Sequence, residues 1–125
     1  MLASVNARRS RAGLRALTFC AALNETSQGH SNDQAAAKSL GHEGTDGSSL
    51  TQRVDASGLG RWTALGENLA RGFTTPEAVN RALMASPVHR ANLLSRLYTR
   101  VGFGAAADET GVLYWTQNFS RGGTC

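Results

Sequence analysis

The only two prolines of the chain, Pro76 and Pro87, each follow a hydroxyl residue able to cap a helix. In Thr75-Pro76-Glu77 an N-cap, a proline at the first helical position and an acid in the first turn coincide. Ser86-Pro87 repeats the signal, so two helices start in close succession. Val79, Ala82 and Leu83 give the first helix an apolar face, and Val88, Ala91, Leu93 and Leu94 give one to the second. Residues 99–106 and 112–119 then alternate as strands about Asp108-Glu109-Thr110-Gly111. In the last strand Leu113, Trp115, Gln117 and Phe119 share one face, and Val112, Tyr114, Thr116 and Asn118 share the other. Helices first and a hairpin last predict an α+β fold with an antiparallel sheet, not a doubly wound parallel one.

Upstream, residues 2–12 read as a short helix that stops at Gly13. Residues 21–38 read as a longer helix, but Thr26, Ser27, Gly29 and Gln34 fall where a core-facing stripe wants apolar groups. That helix needs tertiary packing to hold it. Residues 41–48 are a glycine-punctuated loop, 49–55 a helical turn, and Trp62 through Ala70 a strand or an extended approach to one.

A length of 125 residues predicts one domain, 1–125. No apolar run approaches the ~18–20 residues of a membrane-spanning helix, so no membrane span is expected. Two cysteines and three histidines exclude a dense disulfide scaffold and a four-cysteine zinc site. The net charge of +4 comes wholly from Arg8, Arg9, Arg11 and Arg15, because basic and acidic residues balance from residue 16 on. Three readings compete for that stretch: a solvated helix face, an organellar transit segment, and a patch for nucleic acid or an anionic membrane.

The residues able to carry chemistry are few. His42-Glu43 is not a zincin motif, because Asp46 stands where a second histidine is required and Gly44 spoils the helix. His42 in a loop is still a candidate ligand. Glu67, in Gly66-Glu67-Asn68, lies among apolar residues, where an acid is costly to bury unless paired. His89 falls in the first turn of its helix, where the dipole favours a neutral ring. His30 reads as a satisfied, partly buried histidine. Cys20 and the last residue, Cys125, suit a staple better than a nucleophile, and a disulfide between them would imply an oxidising compartment. Asn24-Glu25-Thr26 and Asn118-Phe119-Ser120 are sequons. No nucleophile elbow, Walker loop or dinucleotide fingerprint is present.

Together these residues resemble a CAP domain, the superfamily of cysteine-rich secretory proteins, antigen 5 and pathogenesis-related-one proteins. The resemblance runs through Asn6-Ala7-Arg8-Arg9 with Gly13-Leu14, then His30-Ser31-Asn32-Asp33 and His42-Glu43-Gly44-Thr45-Asp46-Gly47-Ser48. It continues through Arg53, Gly66-Glu67-Asn68-Leu69-Ala70 and Ser86-Pro87-Val88-His89-Arg90-Ala91-Asn92, and ends at Tyr114-Trp115-Thr116-Gln117-Asn118-Phe119. The short form found in bacteria, fungi and oomycetes is the most similar. The stretch of Arg8 and Arg9 then resembles a first domain helix, which speaks against a transit segment.

The resemblance implies a three-layer α-β-α sandwich with a small antiparallel sheet. It also implies a cleft carrying His42, Glu67 and His89. The family's second glutamate has no counterpart, since Ala85 and Ser86 stand there, and Leu83 replaces a tryptophan. Two histidines and one glutamate could hold zinc or another divalent cation with a water in the fourth position, though no cofactor is required. The implied function is a secreted, monomeric, extracellular binding module for a lipid or sterol, a cell-wall component or a partner protein, with no nucleic acid. A metal-assisted hydrolase using the same cleft is the alternative. No secretion signal precedes the first helix, so the chain is a fragment, a mature form, or a gene with a misplaced start.

Overall fold

The computed structural model describes residues 1–125. The elements are α1 (Leu2–Arg11), β1 (Thr18–Phe19), α2 (Ala21–Ala37), α3 (Leu50–Ala56), β2 (Trp62–Arg71), α4 (Pro76–Ala85), α5 (Pro87–Leu93), β3 (Arg100–Ala107) and β4 (Leu113–Gly122). The fold is α+β. The sheet order is β1-β3-β4-β2, with α2 on one face and α1, α4 and α5 on the other. Both proline-led helices start where expected, and Thr75 Oγ1 accepts the Ala78 amide at 3.1 Å.

The sheet departs from the expected antiparallel one at a single place. β2, β3 and β4 pair antiparallel, but β1 pairs parallel with β3. A two-residue strand gives no alternation to detect, and its partner lies some eighty positions away in the chain.

The two faces of β4 carry different chemistry. Trp115 and Phe119 join Val5, Leu17, Val79, Leu83, Leu93 and Val101 in the main core under α1, α4 and α5. Thr116 and Asn118 face α2, and they are wholly buried. The polar stripe of α2 is thereby explained. Ser31 Oγ and Thr116 Oγ1 share a hydrogen bond at 2.8 Å, and Gln34 Nε2 donates to the same hydroxyl at 3.2 Å. Ser27, His30, Ser31 and Gln34 are all buried. A polar helix face meets a polar strand face.

Two glycines let that helix approach. A Cβ at Gly102 would stand 2.1 Å from the Asn24 backbone nitrogen, and one at Gly104 would stand 2.4 Å from the Ser27 carbonyl carbon. The backbone of α2 rests directly on β3. A smaller core of Leu23, Val54 and Leu59 adjoins Cys20, which is bonded to Cys125. The staple read from the sequence is present and closes nearly the whole chain.

β2 is an outer strand of the sheet. The carbonyls of Leu65 and Glu67, two residues apart and so turned to the same side, accept from Tyr98 Oη at 3.1 Å and Asn92 Nδ2 at 3.1 Å. Gly66 lies between them because Tyr98 crosses there: a Cβ would stand 2.3 Å from the phenol oxygen.

The N-terminal arginines are not one solvated face. Arg9 is 2 % exposed. Its Nε donates to the Arg15 carbonyl at 2.8 Å, and its Nη1 donates to those of Leu93 and Ser95, each at 2.9 Å. It pins α1 to the end of α5. Arg8 pairs with Glu77 on α4.

Candidate functional site

Strand alternation sends Glu67 and Asn68 to opposite faces of β2. Glu67 lies beside Asn118 in the register, on the α2 side. Its side chain is 2 % exposed, yet both oxygens are satisfied. His42 Nδ1 donates to Oε1 at 2.8 Å, and Arg53 Nη2 donates to Oε2 at 2.9 Å. This answers the cost of an acid among apolar residues: the buried carboxylate is paired.

Arg53 also shapes the 41–48 loop. Its Nη1 donates to the carbonyls of His42 at 2.7 Å and Ser48 at 3.0 Å. From the other side, Asp33 on α2 accepts the Thr45 amide at 2.8 Å and the Thr45 hydroxyl. These Thr45 bonds hold the Asp33 carboxyl below its ordinary range. The loop is thus clamped between α2 and α3, and it presents His42 with its side chain 66 % exposed. The carboxylate fixes the ring so that Nδ1 carries the proton and Nε2 is the outward atom.

His89 is placed differently. Its Nδ1 shares a hydrogen bond with the cap residue Ser86 Oγ at 2.7 Å, and its carbonyl accepts from Asn68 Nδ2 at 3.1 Å. The structure therefore joins His42 to Glu67 but ties His89 to its own helix start. No three His, Cys, Asp or Glu side chains gather to hold a metal ion. The arginine already supplies the positive charge that Glu67 faces. The residues present do not fit the expected zinc site, and no chemistry is routed through a metal.

The concavity next to this pair is a cleft of about 460 Å³ between α2, the 41–48 loop and α3. His30, Asp33, Thr45, Asp46 and Arg53 line it, whereas His42, Glu67 and His89 do not. Behind it lie five buried side-chain atoms without a protein partner: Ser27 Oγ, His30 Nδ1, Arg53 Nε, and both polar atoms of the Asn118 amide. His30 is 2 % exposed and donates from Nε2 to the Gly41 carbonyl at 2.7 Å. Burial pushes its pKa below the ordinary 6.5, against the opposing pull of nearby Glu67. The neutral ring therefore turns a bare Nδ1 acceptor inward.

The description "CAP: Cysteine-rich secretory protein family" matches residues 2–119. This chain belongs to the CAP family. The uncharacterized protein YkwD of Bacillus subtilis (strain 168) is 34 % identical over 114 residues, which are 91 % of this chain and 43 % of that protein. The chain thus spans under half the length of this curated relative. An outer surface protein of Borrelia burgdorferi shares the fold at a TM-score of 0.85 and 17 % identity, over 97 % of this chain and 89 % of its own. An extracellular SCP-domain protein of Bacillus anthracis str. Ames has a TM-score of 0.82 at 28 % identity, over 94 % of this chain and 37 % of its own.

Within this CAP chain, sequence reading singled out His42 and Glu67; it met Arg53, their common partner, only within the family resemblance and without a role, and it missed the inward face of His30. A signal for the second was present. Ser27, His30, Ser31 and Gln34 recur at helical spacing, and Thr116 and Asn118 recur at strand spacing. Two polar periodicities in one small chain point to a polar interface.

Proposed function

We propose that this CAP chain is an extracellular binding module that takes a polar, hydroxyl-rich ligand of the cell-wall saccharide class. The ligand sits in the cleft between α2, the 41–48 loop and α3. The observation that carries this is the lining: of twelve residues only Ala56 is hydrophobic, and hydroxyls, carboxylates and Arg53 converge there. Such groups orient a hydroxylated ligand through hydrogen bonds. A lipid tail or sterol would be gripped by bulky aliphatic or aromatic side chains, and Ala56 is the one hydrophobic residue lining this cleft. The Cys20–Cys125 bond supports an oxidising, extracellular setting. No helix is long and apolar enough to cross a membrane.

The test is a titration of the labelled protein with tri-N-acetylglucosamine, followed by amide shifts. Saturable shifts at Thr26, Gly29 and Thr45, lost in Thr26→Val with Glu25→Gln, are expected. Saturable shifts with a lysophospholipid or cholesterol instead, and none with saccharides, would sink the reading.

A further inference from the structure

Eight of the twelve arginines surround two concavities at one end of the molecule. The first, about 340 Å³ between α1, α4 and α5, is lined by Arg8, Arg11, Arg81 and Arg90. The second, about 470 Å³ on the other side of the α1 C-terminus, is lined by Arg9, Arg15, Arg96 and Arg121. No Asp or Glu lines either one. Apart from Glu77, which pairs with Arg8, the acids gather elsewhere: Glu25, Asp33 and Asp46 line the cleft beside α2, and Asp108 and Glu109 line another depression. The sequence shows only four clustered arginines, and folding doubles them.

Arg8 and Arg9 are committed to Glu77 and to backbone carbonyls. The other six, Arg11, Arg15, Arg81, Arg90, Arg96 and Arg121, are exposed. None of them is in an ion pair. Like charges gathered this way repel one another and weaken the compact state; Glu77, paired with Arg8 and near enough to feel the charge of Arg81, offsets only part of it in the first recess, and no Asp or Glu lines the second. A bound polyanion would offset the rest. The cations there are all arginine, whose planar fork matches phosphate oxygens in pairs. The two sites are recessed and flank one helix end, so they suit separate charges along a flexible chain better than a flat headgroup plane. Tyr98 is the one aromatic residue lining them, and it is buried, so no platform exists for stacking bases.

The geometry points to a binding surface for a linear polyanion whose repeating charges are phosphate groups, its chain crossing the α1 C-terminus from one recess to the other. This surface is separate from the saccharide cleft and does not depend on it.

The experiment uses the intact, disulfide-bonded protein and end-labelled long-chain inorganic polyphosphate, with anisotropy read across salt concentrations. Six phosphate contacts give a slope of log affinity against log salt of about −4, or roughly 10²–10³-fold weaker binding between about 50 and 200 mM. Arg11→Gln/Arg81→Gln/Arg90→Gln and Arg15→Gln/Arg96→Gln/Arg121→Gln should each reduce the slope by about 2, with a melting temperature no lower than the parent's, since repulsion is relieved. A slope unmoved by both triple variants overturns the proposal, and loss in only one overturns the two-recess path. Binding to phosphatidylglycerol vesicles without binding to polyphosphate makes the surface a membrane contact instead. Tighter binding of single-stranded DNA than of polyphosphate at equal charge also rejects it.

Discussion

Arg53 and Glu67 meet inside the protein, with Nη2 donating to Oε2 at 2.9 Å and the two side chains 12 % and 2 % exposed. They come from α3 and β2, and through them the 41–48 loop is fastened to the sheet. Such a pair is worth little against an apolar replacement of both partners, but breaking it strands a buried charge.

Arg53→Met therefore leaves Glu67 without its cation and is expected to cost about 3–5 kcal/mol. Urea unfolding measures it. Arg53→Met with Glu67→Leu should recover a large part of the loss. A single variant as stable as the parent would refute the buried-pair reading.

Cys125→Ser opens a loop closed across a sequence separation of 105 while leaving buried Cys20 in place. The chain-entropy account predicts a loss of about 4–5 kcal/mol. Calorimetry under oxidising conditions, parent against variant, reads the difference.

Two glycines should respond with opposite signs. Gly104→Ala drives a methyl into the Ser27 backbone, which cannot swing aside as a side chain can. It is expected to cost ~3 kcal/mol or more. Gly29→Ala lies on the exposed face of α2 with nothing within 4 Å of its Cβ. It should stabilise by about 0.5–1 kcal/mol. Equal effects at the two sites would contradict the packing described.

Burial lowers the His30 pKa beneath 6.5, with Glu67 and Asp33 opposing the shift and Arg53 reinforcing it. Below pH 6.5 the unfolded chain binds a proton that the folded one refuses. The stabilisation is complete above that pH and falls as pH drops toward the folded value. Urea midpoints near pH 7.5 and pH 5.5 should differ in the parent, and the difference should shrink in His30→Gln. Glu77 acts in a lower window. Hydrogen bonds from Arg8 and Ser4 take it from 4.5 to about 2, so its contribution is present above 4.5 and is lost between those values. Glu77→Gln should shrink that second decline, to which the lowered Asp33, Asp46 and Asp108 also contribute, and leave the His30 window untouched.

Local chemistry made the helices legible. Thr75-Pro76 and Ser86-Pro87 fixed two starts, and alternation revealed β3 and β4. What stayed hidden was non-local. β1 exists only through β3. Ser86 serves its helix start by meeting His89 rather than a backbone amide. Polar residues in α2 read as a weakness because the partner of Ser31 and Gln34, Thr116, lies on a strand some eighty residues later. At the site, residue type was enough to mark His42 and Glu67. The identity of the third partner depended on which cation the fold delivers to the carboxylate, and that cation was Arg53.

The carbonyls of Leu65 and Glu67 also bear on how this molecule behaves among its copies. An outer strand with free hydrogen-bonding groups is a template on which another chain can polymerise. Here the phenol of Tyr98 and the amide of Asn92 already occupy two acceptors of that template, and on the opposite border, where β1 covers only Arg100 and Val101, Asn24 and Gln28 occupy the Phe103 and Ala105 groups. The sheet ends on both sides without closing into a barrel. At high concentration the protein is guarded against strand-by-strand fibre growth by a few side chains, and on the β2 border these are the same two that hold the Gly66-Glu67-Asn68 segment in place.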